Sequence, residues 1–140
     1  MLVKIPSQNS KVIVCDDDPD ILDAIVRLLE LEGLTAIGVR NSAQLYQEID
    51  EHRPDLLIVD LWMPQFNGED IIRHIKSHPE RSKMAILLIS ASMIGDRVGA
   101  QAGADAFLAK PFEMEELIAI SKSLIQAGKQ HDNRKVKAGN

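Results

Sequence analysis

Side chains able to do chemistry stand at the ends of apolar runs. Asp16 and Asp17 follow Val12-Ile13-Val14-Cys15, Asp60 follows Leu56-Leu57-Ile58-Val59, Ser90 closes the run from Met84, and Lys110 follows the run Ala104 to Ala109. If those runs are parallel strands, all five residues reach one edge of a sheet, where ligands bind in such folds. Three acids held together repel: two unit charges at ~4 Å oppose each other by about 4 kcal/mol at an effective dielectric of ~20. A cation must compensate. Carboxylate oxygens, a backbone carbonyl and water are hard ligands that suit Mg2+, whereas Ca2+ would want a dedicated loop. A single cysteine and no histidines at ligand spacing weigh against zinc. With Mg2+ and Lys110, such an edge offers a carboxylate nucleophile, positive charge for an incoming phosphoryl group and a hydroxyl beside it, the inventory for an aspartyl phosphate. Charge alone does not choose the attacking acid. Asp60 ends the central strand and should point into the crevice, while Asp16 and Asp17 precede a helix and are better placed to hold metal.

The elements that must position these groups alternate strand and helix. Strands are expected at Lys11–Asp16, Leu34–Val39, Leu56–Asp60, Met84–Ser90 and Ala104–Ala109. The run before Asp60 reads as a strand buried on both faces. Asp18 and Pro19 predict the cap and first position of a helix whose Ile21, Leu22, Ile25, Leu28 and Leu29 recur at three and four, with Gly33 as its stop. A second helix, introduced by Asn41-Ser42 and carrying Leu45 and Ile49, must end before Pro54. Met63 to Gly68 reads as a loop. Ile71, Ile72 and Ile75 mark a third helix ending near His78-Pro79, Ile94 to Ala102 a fourth, and Glu113 to Ala127 a fifth. Strand-then-helix units repeated in this way call for a parallel sheet covered on both faces by right-handed crossovers.

The bulk properties fit one domain with a real core. The chain has 140 residues, 45% hydrophobic and 26% charged, and its 16 basic and 21 acidic residues leave a net charge of −5. That balance, without a basic aromatic patch, argues against direct nucleic-acid binding. Cys15, inside an apolar run, reads as a small buried hydrophobe. Residues 1–10 read as a flexible lead-in, 11–127 as the domain, and 128–140 as a solvated, disordered basic tail. No stretch approaches the ~20 apolar residues of a membrane span, and the N-terminus lacks a signal-peptide core, so a cytoplasmic protein without membrane insertion is expected. His52, His74, His78 and His131 sit in polar contexts and read as surface residues. Met63 and Met93 read as packing or loop-edge residues, and Gly99 and Gly103 as helix punctuation.

Four segments, in order, resemble the receiver domain of bacterial two-component response regulators. They are Val14-Cys15-Asp16-Asp17-Asp18-Pro19, Leu57-Ile58-Val59-Asp60-Leu61-Trp62-Met63-Pro64 with Gly68, Ser90-Ala91, and Lys110-Pro111-Phe112. The likeness runs from about Lys11 to Gln126. It implies a flavodoxin-like, doubly wound α/β fold with five helices and a five-stranded parallel sheet of order 2-1-3-4-5. It also implies that Asp60 is the phosphoacceptor, that Asp17, Asp60 and the Trp62 backbone carbonyl bind Mg2+ with Asp16 acting through water, and that Ser90 and Lys110 hold the phosphoryl group. Phe107, where tyrosine is commoner, would be the switch aromatic, and the Lys110–Pro111 bond would be cis. A phosphohistidine of a sensor kinase or phosphotransfer protein would be the donor. The face formed by the fourth helix, fifth strand and fifth helix would control a protein target.

Trp62 and Ser92 occupy the positions that flank hydrolytic water in this family, and bulky Trp62 is expected to shield the phosphoryl group and prolong the signal. Nothing after Gln126 is long enough for a DNA-binding or enzymatic output domain, so a stand-alone, chemotaxis-type receiver is expected, or else a piece of a longer chain; the likeness implies no enzyme beyond catalysing its own phosphorylation and dephosphorylation. The alternative is the same fold used as a phosphorylation-independent binding module. An aspartate-dependent phosphohydrolase would want a second Asp where Trp62 stands, and no Gly-rich loop follows the first strand to support a nucleotide-binding reading.

Overall fold

A computed structural model describes residues 10–63, 66–79, 81, 83–91 and 103–138, with backbone alone at 42, 62, 63, 66, 67 and 129–138. The main sheet contains β1 (Lys11–Cys15), β2 (Thr35–Val39), β3 (Leu56–Asp60), β4 (Ala85–Ser90) and β5 (Ala106–Ala109). All neighbours are parallel and the order is 2-1-3-4-5, as expected from the strand-helix alternation and the family resemblance. The described helices are α1 (Pro19–Leu31), α2 (Leu45–His52), α3 (Gly68–Lys76) and α4 (Met114–Ala138). The predicted helix at 94–102, together with Ser92, Met93 and Gly99, lies outside the described residues.

Period-two alternation in the strands divides the core into two layers. Ile13, Cys15, Leu57, Val59, Ile86 and Leu88 turn toward Leu45 and Ile49 of α2 and Ile71, Ile72 and Ile75 of α3. Val12, Val14, Leu56, Ile58, Leu87 and Ile89 turn the other way, onto Leu22, Ile25 and Leu29 of α1 and Leu117 and Ile125 of α4. Burying each such aliphatic side chain favours folding by about 1.5–3 kcal/mol. The layers therefore hold β1, β3 and β4 in fixed register, and register decides which side chains meet at the strand ends.

The ends of α1 follow the sequence signals. The Asp18 carboxylate accepts from the Asp20 and Ile21 amides, Pro19 takes the first helical position, and Gly33 follows the helix at φ +88°. Three elements differ from expectation. A 3-10 turn, Ser42–Gln44, precedes α2, and Asn41 Oδ1 accepts from the Ala43 amide to cap that turn. Within the expected loop, Trp62–Met63 and Phe66–Asn67 pair as a two-residue antiparallel ribbon. The last helix does not stop at Ala127 but continues to Ala138. No proline follows Gly128, and Lys, Arg and Gln are good helix formers, so loss of an apolar period did not mean loss of helical backbone.

The turn after α3 is drawn back onto α2 by Arg81. Its Nε and Nη2 reach Asp50 Oδ1 and Oδ2 at 2.9 and 2.7 Å, and its guanidinium lies 5.1 Å from the Tyr46 ring centre. The His74 ring meets Tyr46 at a tilt of 47°, and its Nε2 lies 3.0 Å from Arg81 Nη1, so it accepts there. On α4, the fully buried Ser121 hydroxyl has no hydrogen-bond partner among the described residues. Ser121→Ala removes that orphan and improves helix propensity, and is expected to raise stability by roughly 1 kcal/mol. Urea denaturation checks this, and a lower midpoint for the variant contradicts it.

Candidate phosphoacceptor site

The crevice is assembled by strand register. β1 pairs Cys15 with Val59, so the next residues along, Asp16 and Asp60, emerge side by side at the carboxyl edge. Asp60 pairs with Ile89, which places Ser90 one step beyond on β4, and Ser90 pairs with Ala109 just before Lys110. The Lys110 amide donates to the Ser90 carbonyl at 2.9 Å. Asp16, Asp60 and Ser90 are buried while Asp17 is exposed, and carboxylate oxygens of Asp16, Asp17 and Asp60 lie within 4.8 Å of one another.

Lys110 reaches into this cluster. Its Nζ is 3.1 Å from Asp60 Oδ2 and 3.6 Å from Asp16 Oδ2, and the Lys110–Pro111 bond is cis. Burial works to lower the ammonium's pKa, but the Asp60 and Asp16 charges outweigh it and hold Lys110 above the ordinary lysine value. Burial likewise pushes Asp16 up, aided by the nearby Asp60 and Asp17 charges and opposed by the Asp18 amide and Lys110. A carboxylate whose pKa is raised by folding favours the fold in acid, and that contribution is lost as pH rises through the folded value. At neutral pH Asp16 therefore contributes less to stability than it does in acid, whereas the raised Lys110 still contributes there. Cys15 is pushed up to about 12, first by burial and then by the same three carboxylates, so it is a packed neutral thiol.

One lysine against three acids leaves a negative surplus of hard oxygen donors, a set that fits a divalent cation of the Mg2+ kind. The two oxygens of Asp16 are already engaged, Oδ1 by the Asp18 amide at 2.9 Å and Oδ2 by Lys110. Asp17 is left facing outward. Trp62 lies two residues beyond Asp60, its backbone paired with Asn67. Phe107, half-buried, pairs with Leu88 and packs against the α2/α3 side of the core. His52 lies against Glu48 and Glu51 on α2, and His74 and Arg81 are tied to Tyr46, so neither histidine belongs to the crevice.

Sequence reasoning missed what backs the site. The Gly68 amide donates to the Leu61 carbonyl at 2.7 Å, and the Leu61 amide donates to Ile89 at 2.8 Å. A Cβ on Gly68 would lie 2.7 Å from Leu61 Cα and 2.9 Å from the Asp60 carbonyl oxygen. The first turn of α3 is thus pressed on the backbone of Asp60 and Leu61, an approach only glycine permits. The glycine in Phe66-Asn67-Gly68 was legible as a turn residue; its contact with Asp60 was not.

The family profile of the response regulator receiver domain matches residues 12–122, which contain Asp16, Asp17, Asp60, Ser90 and Lys110. This chain is a response regulator receiver domain. It is 33% identical over 119 residues to the transcriptional regulatory protein PrrA of Mycobacterium tuberculosis, covering 84% of this chain and 51% of that protein. To the response regulator MprA of Mycobacterium ulcerans it is 30% identical over 123 residues, covering 88% and 53%. The chain therefore spans about half the length of the curated relatives it matches. A response regulator receiver domain protein of Clostridium thermocellum superposes with a TM-score of 0.79 at 27% identity, covering 86% of this chain and 98% of that one. The receiver belongs to two-component signalling, in which response regulators pair with histidine kinases and downstream targets. No described helix is long and apolar enough to cross a membrane.

Proposed function

We infer that this receiver is a cytoplasmic phosphorylation switch that takes a phosphoryl group onto Asp60. The observation carrying this reading is the contact of Lys110 Nζ with Asp60 Oδ2 at 3.1 Å inside a three-carboxylate cluster. An Asp60 oxygen attacks the phosphorus of a phosphohistidine on a kinase or phosphotransfer protein. The new O–P bond forms as the P–N bond breaks, and the imidazole nitrogen keeps the electron pair and later takes a proton. Lys110 shifts from the carboxylate to the arriving oxygens, and the Ser90 hydroxyl donates to one of them. Asp17, Asp60 and the Trp62 carbonyl would hold Mg2+, with Asp16 acting through water, as its engaged oxygens favour. When bound, the ion neutralises phosphoryl oxygens and aligns the donor.

The phosphoryl group adds about −1.5 to −2 charge at this edge, and drawing Ser90 and Lys110 toward it biases β5, Phe107 and the adjoining helices toward a second packing that a protein target reads. The chain catalyses only its own phosphorylation and dephosphorylation, with Trp62 and Ser92 setting the lifetime; Trp62→Asn should hasten phosphate loss in a timed mass measurement. The test of the whole reading follows Trp62 emission during a Mg2+ titration and then addition of acetyl phosphate. A change at each step, with mass rising by one phosphoryl group, is expected. Silence at both steps with no added mass favours the phosphorylation-independent binding module.

A further inference from the structure

At the opposite end of the sheet from Asp60, a groove of about 670 Å3 opens between the end of α2, the turn after α3 and the middle of α4. Its buried apolar floor includes Pro54, Met84 and Ile125. Arg53, His78, Arg81 and Lys83 line it, against two carboxylates, Asp50 and Asp55. Both carboxylates are engaged: Asp50 by the paired bonds from Arg81, and Asp55 Oδ2 by the Lys11 amide at 2.9 Å. Hydrogen bonding to Arg81 is the main reason Asp50 lies below the ordinary carboxylate range, and the charges of His78 and Arg53 act in the same direction. Among the described residues, the side chains of Arg53, His78 and Lys83 make no hydrogen bond or ion pair. A groove with surplus positive charge is unexpected on a chain of net charge −5.

The backbone of Arg53 adds an independent observation. It closes α2 in the left-handed region, at φ 49° and ψ 63°. That conformation costs a residue with a Cβ roughly 1–2 kcal/mol, and the following Pro54 restricts Arg53 further. Glycine or asparagine is the residue this cap ordinarily takes. An arginine here brings a long cationic side chain to the rim of the groove at the expense of local stability.

We propose that this groove binds a small organic phosphate, with Arg53, Lys83 and His78 around its oxyanion and its apolar body on the floor of Pro54, Met84 and Ile125. The volume falls in the range of small-molecule sites. Arginine presents a planar fork matched to phosphate oxygens, and Lys83 adds a point charge. Arg81, fixed by Asp50 and Tyr46, forms a rigid positive wall rather than a mobile contact.

The test is an amide-shift titration of the 15N-labelled full chain with phenyl phosphate, in EDTA, with NaCl adjusted to constant ionic strength. Saturable shifts are expected at Arg53, Asp55, Lys83 and Met84; shifts confined to Asp60 and Ser90 would place the phosphate in the crevice and overturn the proposal. Glycine is unstrained at this backbone position, so Arg53→Gly keeps the fold, checked by its thermal midpoint, and should weaken binding by roughly 10–100-fold, the loss of one charge-assisted hydrogen bond. Lys83→Ala should weaken it comparably, and phenol should not bind. Shifts that never saturate, that NaCl alone reproduces, or that keep their affinity in both variants overturn the proposal.

Discussion

Asp60→Asn should abolish phosphoryl uptake: with Mg2+ and acetyl phosphate, the intact mass stays at that of the unmodified variant while the wild type gains one phosphoryl group. The amide keeps the size of the side chain but loses the anionic oxygen that attacks phosphorus, so the effect is complete rather than graded. The fold should survive, because Lys110 retains Asp16 at 3.6 Å and is not left as an unpaired charge. Unchanged far-ultraviolet circular dichroism checks that point. A variant that still gained the full mass would move the phosphoacceptor to Asp16 or Asp17, the two other acids of the cluster.

Gly68→Ala is expected to be the most damaging single-methyl change at the site. The added carbon would meet Leu61 Cα at 2.7 Å and the Asp60 and Leu61 carbonyl oxygens at 2.9 and 3.0 Å, all of them backbone atoms that cannot rotate away. Relief requires α3 to lift from the end of β3, at an expected cost of about 1–3 kcal/mol. For a domain of this size that lowers the thermal midpoint by roughly 5–10 °C. The same displacement moves the backbone carrying Asp60, so phosphoryl uptake should slow along with the loss of stability. By contrast, a Cβ on Gly128 meets nothing within 4 Å, and Gly128→Ala should leave uptake unchanged. Equal midpoints for wild type and Gly68→Ala would refute the close-contact argument.

What was legible beforehand follows from where the signals are local. Apolar runs of four to six residues leading into Asp60, Ser90 or Lys110 carry both the strand and the group at its end, so the sheet and the crevice could be read together. The cap of α1 was readable because Asp18 and Pro19 are adjacent in the chain. Arg81 was opaque for the opposite reason: its partners Asp50, Tyr46 and His74 come from two other elements, and no spacing rule links them. Arg53 was opaque because a residue before proline is expected to be extended, and the helix end overrode that preference. The helix beyond Gly128 was missed because periodicity reports a buried face, whereas helical backbone can continue on residue propensity alone.

The ion pairs of Lys110 also bear on how the molecule folds. Asp16 lies just after the first strand and Lys110 just after the last, yet β1 sits inside the sheet between β2 and β3. The crevice can close only after nearly the whole domain has found its register, and contacts so distant in sequence are slow to form. A partly folded chain therefore has its acids but not its lysine beside them. Competence to accept a phosphoryl group should appear in refolding together with the final cooperative step, so nascent or damaged copies would be silent in signalling instead of wrongly active.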